Sequence, residues 1–234
     1  MGQVLSARAQ RFVAEVWGER RPHVADLGLV RAAVEEAGLP ITEPVLDFHR
    51  TFAGYMTNVW GEWGPLGIIH PKVVAVESWF KPMKVGGYLT GNNIRLACVD
   101  VHMSHEMMLG LDGTFYSRRE LSSSYFMWTE QAAFLWDFSM SHPWHRLEFS
   151  AENSKVSTIL LPRLTRYRIN DLSDKYAQVY GTDQFVVGIG DSGQQCDVLV
   201  AEGELPPEFA DLVLDQPPEQ TNRAKPNAAD NASH

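Results

Sequence analysis

The chain has 234 residues, 44% of them apolar and 21% charged, a balance that suits a globular fold with a good core, as one large domain or two small ones. Its formal charge of −9 argues against nucleic acid as a partner, since that surface needs clustered Lys and Arg, and is compatible with a cationic one. No secretory leader pattern and no apolar run of membrane-spanning length occurs, so nothing predicts export or a membrane partner, and the expected compartment is the cytoplasm.

The opening "MGQVLS" fits an N-myristoylation pattern with Gly2 and Ser6, but Ser6 also suits the N-cap of a first helix, and the cap is the reading preferred. Ala9, Phe12, Val13, Val16 and Trp17 keep a helical period that Gly18 closes. Asp26 is placed to cap a second helix bearing Leu27, Val30, Val34 and Ala37, with Gly38 as its stop. Thr42 and Pro44 introduce a third, in which Val45, Phe48 and Phe52 share a face and Gly54 ends the run.

From Trp60 the period changes to two. "VVAVESWF" (73–80) and "NIRLACVDV" (93–101) read as strands rich in branched residues. "EMMLGLDGTFYSR" (106–118) reads as a hairpin whose Asp112-Gly113 pair suits the positive φ angles of a type I′ turn. "SSSYFMW" (122–128) reads as a further strand, after which Thr129 caps a helix over 129–140 with Glu130 in its first turn. This succession predicts an α+β fold, an antiparallel sheet flanked by helices.

Over 150–215 the pattern predicts a helix-plus-hairpin extension. "AENSKVSTILL" is a helix stopped by Pro162, "DLSDKYAQVYG" (171–181) a helix ended by Gly181, and "PPEFADLVL" (206–214) a short helix. "DQFVVGI" and "CDVLVAEG" are strands. Between them "GIGDSG" (188–193) imitates both a dinucleotide loop and a protease nucleophile motif. The first needs a helix next, and a strand follows; the second needs a base and an orienting acid near Ser192, and no histidine lies in a partner motif. A hairpin tip is the reading that remains. Residues 1–215 are expected to form one α+β domain and 216–234, without apolar period, a disordered tail. Cys98 and Cys196 are expected to be reduced and unpaired.

Neither a metal nor a cofactor is expected. His102 with His105 falls on a predicted strand, where an offset of three points to opposite faces, and His142 with His145 flanks Pro143 in a predicted loop, so both pairs read as polar histidines. Of the seven tryptophans, Trp17, Trp128 and Trp136 sit on predicted core faces. Trp60 and Trp63 in the glycine-punctuated "NVWGEWGPLG", with Trp79, are either packed over a sheet edge or exposed as interface anchors beside the rim acids Glu62 and Glu77. No pair of carboxylates has a spacing diagnostic of acid–base chemistry.

At "LPITEPVLDFHRTFAGY" (39–55) the chain resembles the SUKH superfamily of toxin-immunity proteins: Leu39-Pro40 precedes a helix carrying Leu46, Phe48, Phe52 and Gly54. The resemblance continues through "LGLDGTFYS", a strand, an Asp-Gly turn and an aromatic strand, and ends in "SSSYFMWTEQAAFLW", a Ser-aromatic segment leading into a helix. It spans residues 39–140, with two helices before it and 150–215 added after it. It implies an antiparallel α+β fold, no catalysis, and tight binding of one cognate bacterial toxin by occlusion. The competing expectation is an enzyme or small-molecule-binding protein whose site is assembled from residues distant in sequence.

Overall fold

A computed structural model of the chain describes residues 4–17, 20, 26–36, 39–59, 62–65, 87–90, 93–97, 107–117, 120–147, 153–190, 196–203 and 206–209. The first helix, α1 (Ala7–Val16), starts where Ser6 accepts the Ala9 N–H at 3.2 Å, so the serine is a cap. Phe12, Val13 and Trp17 are buried, whereas Val16 turns to solvent, off the face its spacing suggested. Asp26 accepts the N–H groups of Gly28 and Leu29 at 2.7 and 3.3 Å at the start of α2 (Leu27–Glu36), which buries Val30 and Val34. In α3 (Glu43–Phe52), Val45, Phe48 and Phe52 are buried and Gly54, at φ 88°, comes just after the helix. The Arg20 guanidinium donates to the Ala53 and Arg50 carbonyls at 2.9 and 2.8 Å, satisfying acceptors that the end of α3 leaves open.

Strands β1 (Met56–Val59) and β2 (Glu62–Pro65) pair antiparallel. Five more, β3 (Gly87–Thr90), β4 (Asn93–Ala97), β5 (Met107–Gly110), β6 (Phe115–Ser117) and β7 (Glu120–Ser122), form an antiparallel meander in chain order. The β5–β6 connection is a hairpin, but not a two-residue type I′ turn. Gly110 donates to the Thr114 carbonyl at 2.7 Å and Gly113 to that of Gly110 at 2.9 Å, so the loop is Leu111–Gly113, with Gly113 at φ 86°. A three-residue loop needs its left-handed position at the last residue, which is where the glycine stands.

Helix α4 (Tyr125–Ser141) begins four residues before the expected Thr129 cap. Ser124 is the cap, accepting the Met127 N–H at 3.2 Å, so "YFMW" is helical rather than a strand. Thr129 is buried inside the helix and donates to the Tyr125 carbonyl at 2.7 Å. Glu130 accordingly lies in the second turn, where its carboxylate accepts both the N–H and the hydroxyl of Ser6, each at 2.6 Å. Aromatic residues on every side hide the period of this helix, because no residue from Tyr125 to Ser139 is exposed.

A second antiparallel sheet has the order β8 (Trp144–Arg146), β11 (Cys196–Ala201), β10 (Phe185–Ile189), β9 (Gln178–Gly181). Phe185, Val187, Ile189, Cys196, Val198 and Val200 pack on one side with Leu160 and Leu164 of α5 (Asn153–Leu164). Val179, Val186 and Leu199 pack on the other with Phe134, Leu135 and Phe138 of α4. Burial on both faces explains why β10 and β11 read as almost unbroken apolar runs. The fold is therefore α+β, with antiparallel sheets and helices, the second sheet lying between α4 and α5.

Two expectations for this half are corrected. Pro162 does not stop α5, which runs to Leu164 and tightens into a 3₁₀ turn over Thr165–Tyr167, because a proline this near the end removes a bond without breaking a continuing helix. Residues 171–181 are not a helix, although Leu172, Tyr176 and Val179 have helical spacing. Asp174 accepts the N–H groups of Tyr176 and Ala177, both at 2.7 Å, holding a turn that releases β9 to pair with β10. The "GIGDSG" strands agree with a hairpin: Ile189 pairs with Cys196, antiparallel, and the tip at 191–195, Ser192 included, lies outside the described residues. The expected tail at 216–234 also lies outside them.

Candidate functional site

Three segments far apart in sequence converge at the start of α4. Thr42, just before α3, donates its hydroxyl to the Leu111 carbonyl at 2.6 Å, tying the β5–β6 loop to the helix start. The loop sits so close that a Cβ at Gly113 would lie 2.9 Å from Pro44 Cβ. Between these walls is a cleft of about 270 Å³, with Asp47 and Phe48 from α3, Leu109 and Asp112 from the hairpin, and Ser124 and Tyr125 from α4 among its lining. Phe48, Leu109 and Tyr125 are buried and form the apolar floor, while the two aspartates are partly or fully exposed.

The polar groups of the cleft are held in place. Asp47 accepts from the Arg50 guanidinium at 2.5 Å, and the same guanidinium reaches Glu43 at 2.6 Å. Asp112 accepts the Thr114 N–H at 3.0 Å. The Ser124 hydroxyl receives the Met127 N–H, and the Ser123 N–H goes to Asp174 at 2.7 Å. No histidine or cysteine is among the lining residues; the carboxylates there are Asp47 and Asp112, and Asp174 lies against Ser123. His49, the neighbour of Phe48, is buried and donates from Nδ1 to the Val45 carbonyl at 2.8 Å. Burial lowers its pKa to about 4, against the carbonyl bond that raises it. It is neutral near pH 7. Acids thus stand at the mouth of the cleft, above buried rings.

A separate cluster holds residues 206–209 against the end of α5 and the 3₁₀ turn after it. Glu208 accepts from the Tyr167 hydroxyl at 2.6 Å and from Arg166 at 3.1 Å, and Arg163 donates to the Glu208 carbonyl oxygen at 2.9 Å. The tyrosine bond, with the arginine, holds the carboxyl below its ordinary range, and the same bond pushes the Tyr167 hydroxyl up. Every member has a partner, so this is a clasp for residues 206–209.

Of the residues singled out in the sequence, Glu62 and Trp63 stand on β2, opposite Val59 and Asn58. Trp60, Glu77 and Trp79 lie outside the described residues, as do His102, His105 and Cys98. Trp17 is buried, and Trp128 and Trp136 pack against the same core. His142 ends α4 with its ring 5.1 Å from that of Phe138, and His145 sits on β8 opposite Val200 rather than in a loop. Among the described residues no three His, Cys, Asp or Glu side chains form a group able to hold a metal ion. Cys196 is a free, buried thiol whose pKa burial pushes up to about 11. Among the described residues, no helix is long and apolar enough to cross a membrane.

Sequence reasoning did not find the cleft. Its acids, Asp47 and Asp112, are 65 positions apart and carry no shared motif. The chain matches no known family model, and comparison with the curated proteins and with the solved structures finds no match.

Proposed function

We propose that this chain is a non-enzymatic immunity protein that binds a cognate bacterial toxin in the cytoplasm and neutralises it by covering it. The observation that carries the reading is the acid-rimmed cleft beside α3, set in a chain of net charge −9: such a surface attracts and orients a cationic partner. The SUKH resemblance over 39–140 supports it, resting on Leu39-Pro40 and the helix that follows, the strand, Asp-Gly turn and aromatic strand of "LGLDGTFYS", and the Ser-aromatic segment that leads into a helix. In this reading Trp60, Trp63 and Trp79 are anchors and Glu62 and Glu77 lie at the rim.

The test is co-expression with any toxin candidate found encoded beside it, followed by a binding assay on the purified pair. Protection accompanied by a stable complex is expected. Each anchoring tryptophan changed to Ala costs about 2 kcal/mol or more of binding, and Glu62→Lys or Glu77→Lys mainly slows association. Protection without a complex, or a toxin recovered chemically modified, points to an enzyme instead.

A further inference from the structure

We propose that Asp112-Gly113, at the tip of the β5–β6 loop, is a site of spontaneous aspartate isomerisation that the folded loop holds in check. It is the one Asp-Gly pair in the chain, and no Asn-Gly pair occurs. Glycine lacks the Cβ that in other residues crowds the approach of the nitrogen to the preceding side chain. Asp112 is exposed, so water reaches the group that reacts. No oxidant, reductant or cofactor takes part. The Gly113 backbone nitrogen attacks Asp112 Cγ, the N–H proton and the hydroxyl of the protonated carboxyl leave as water, and a succinimide ring closes. Water then opens the ring at either carbonyl. Opening at the side-chain carbonyl restores the aspartyl bond. Opening at the main-chain carbonyl leaves Gly113 joined to Cγ, so that the main chain runs through the former side chain.

The folded loop engages both reacting groups. The Gly113 N–H donates to the Gly110 carbonyl at 2.9 Å, and an Asp112 carboxylate oxygen accepts the Thr114 N–H at 3.0 Å. Swinging the nitrogen onto Cγ turns the peptide between the two residues, and the loop that carries it is tied down. Gly113 is set at φ 86°, the Gly110 N–H is bonded to the Thr114 carbonyl at 2.7 Å, and the Thr42 hydroxyl holds the Leu111 carbonyl at 2.6 Å. Pro44 closes a further side, its Cβ 2.9 Å from where a Gly113 Cβ would stand. Reaction therefore waits for the loop to open from α3, and local opening sets its rate. The isomer carries one more main-chain atom, for which the loop Leu111–Gly113, with its left-handed last residue, has no place.

The experiment incubates the full chain near neutral pH, folded and in parallel unfolded in urea. Isoaspartate is counted by methyl transfer from a labelled donor with an isoaspartyl methyltransferase and located by peptide mapping. It is expected at Asp112 in both samples, forming at least about tenfold more slowly in the folded chain. Thr42→Val removes the tie to Leu111 and should speed the folded reaction while leaving the unfolded one unchanged. Should that variant not fold, wild type in urea below its unfolding transition gives the same reading, because a loop that opens locally reacts faster before the whole protein unfolds. Equal rates in folded and unfolded wild type, or no isoaspartate at Asp112 in the unfolded chain, overturn the proposal. A folded Thr42→Val that reacts no faster than wild type, or a wild-type rate that stays flat up to the unfolding transition, overturns local opening of the loop as the controlling step. No partner enters the reaction, so its outcome is independent of the immunity reading.

Discussion

Asp174 accepts the backbone N–H of Ser123 at 2.7 Å, across 51 residues of chain, and the Ser122 hydroxyl at 3.1 Å. With Tyr176 and Ala177 also donating to it, one carboxylate fixes both its own turn and the corner from which α4 departs.

Removing that carboxylate should therefore cost more than a surface acid does. Asp174→Ala is expected to destabilise the protein by about 2 kcal/mol at pH 7, read from urea unfolding, because partly buried N–H groups lose their acceptor. Burial raises the Asp174 pKa, but the N–H donors of Ser123, Ala177 and Tyr176 outweigh it and leave the pKa lowered. Its contribution is thus present above the unfolded value of about 3.9 and is lost as pH falls through the lower folded value. The gap between wild type and variant should close in that range; a gap independent of pH would contradict the assignment.

His49 supplies an acid sensitivity at higher pH. Its folded pKa of about 4 lies below the unfolded 6.5, so the unfolded chain takes up the proton first. Stability should fall by about 2 kcal/mol from this residue between pH 7 and pH 5. Denaturation series at the two pH values should show a flatter dependence for His49→Leu than for wild type, whatever the variant's absolute stability.

The two glycines that look alike in "LDGT" and "VVGI" should respond differently to a methyl group. Gly113→Ala meets both a φ of 86° and Pro44 Cβ at 2.9 Å, and should cost about 1–3 kcal/mol. Gly188→Ala meets nothing within 4 Å and should stay within about 0.5 kcal/mol of wild type. Urea midpoints for the two variants decide the matter, and equal losses would mean that the loop does not touch α3.

Cys196 should not react with a thiol reagent in the native protein at pH 8, since burial lifts its pKa to about 11 and its side chain lies in the core between β11 and α5. Labelling should appear only on unfolding. Rapid native labelling at this position, located by mass spectrometry, would place β11 elsewhere.

The helices before residue 53 were legible because each carries one apolar face and, for the first two, a side chain that caps it. Ser6 and Asp26 do in space what their types suggest in sequence. The start of α4 was not legible, because Tyr125, Phe126 and Trp128 favour strands locally and two packed faces leave no period to detect. The turn at Asp174 was missed for a related reason: Leu172, Tyr176 and Val179 keep helical spacing, and only the donors gathered by one carboxylate override it. The cleft needed Thr42 to meet Leu111, a contact over 69 positions that local pattern does not encode.

Helix α4 has a consequence for how the molecule comes apart. Ala133 belongs to the core beneath α1 and α3, and Phe138 to the one against the second sheet, so a single helix is wall to both. Its polar side chains are spoken for as well: Glu130 by Ser6, Gln131 by the Leu172 carbonyl and Asp137 by Arg11. Peeling away either the α1–α3 layer or the second sheet strips one flank of α4 bare and presents phenylalanine and tryptophan to water. The two halves are thereby made to melt together, and a protease or heat that loosens one should find the other already open.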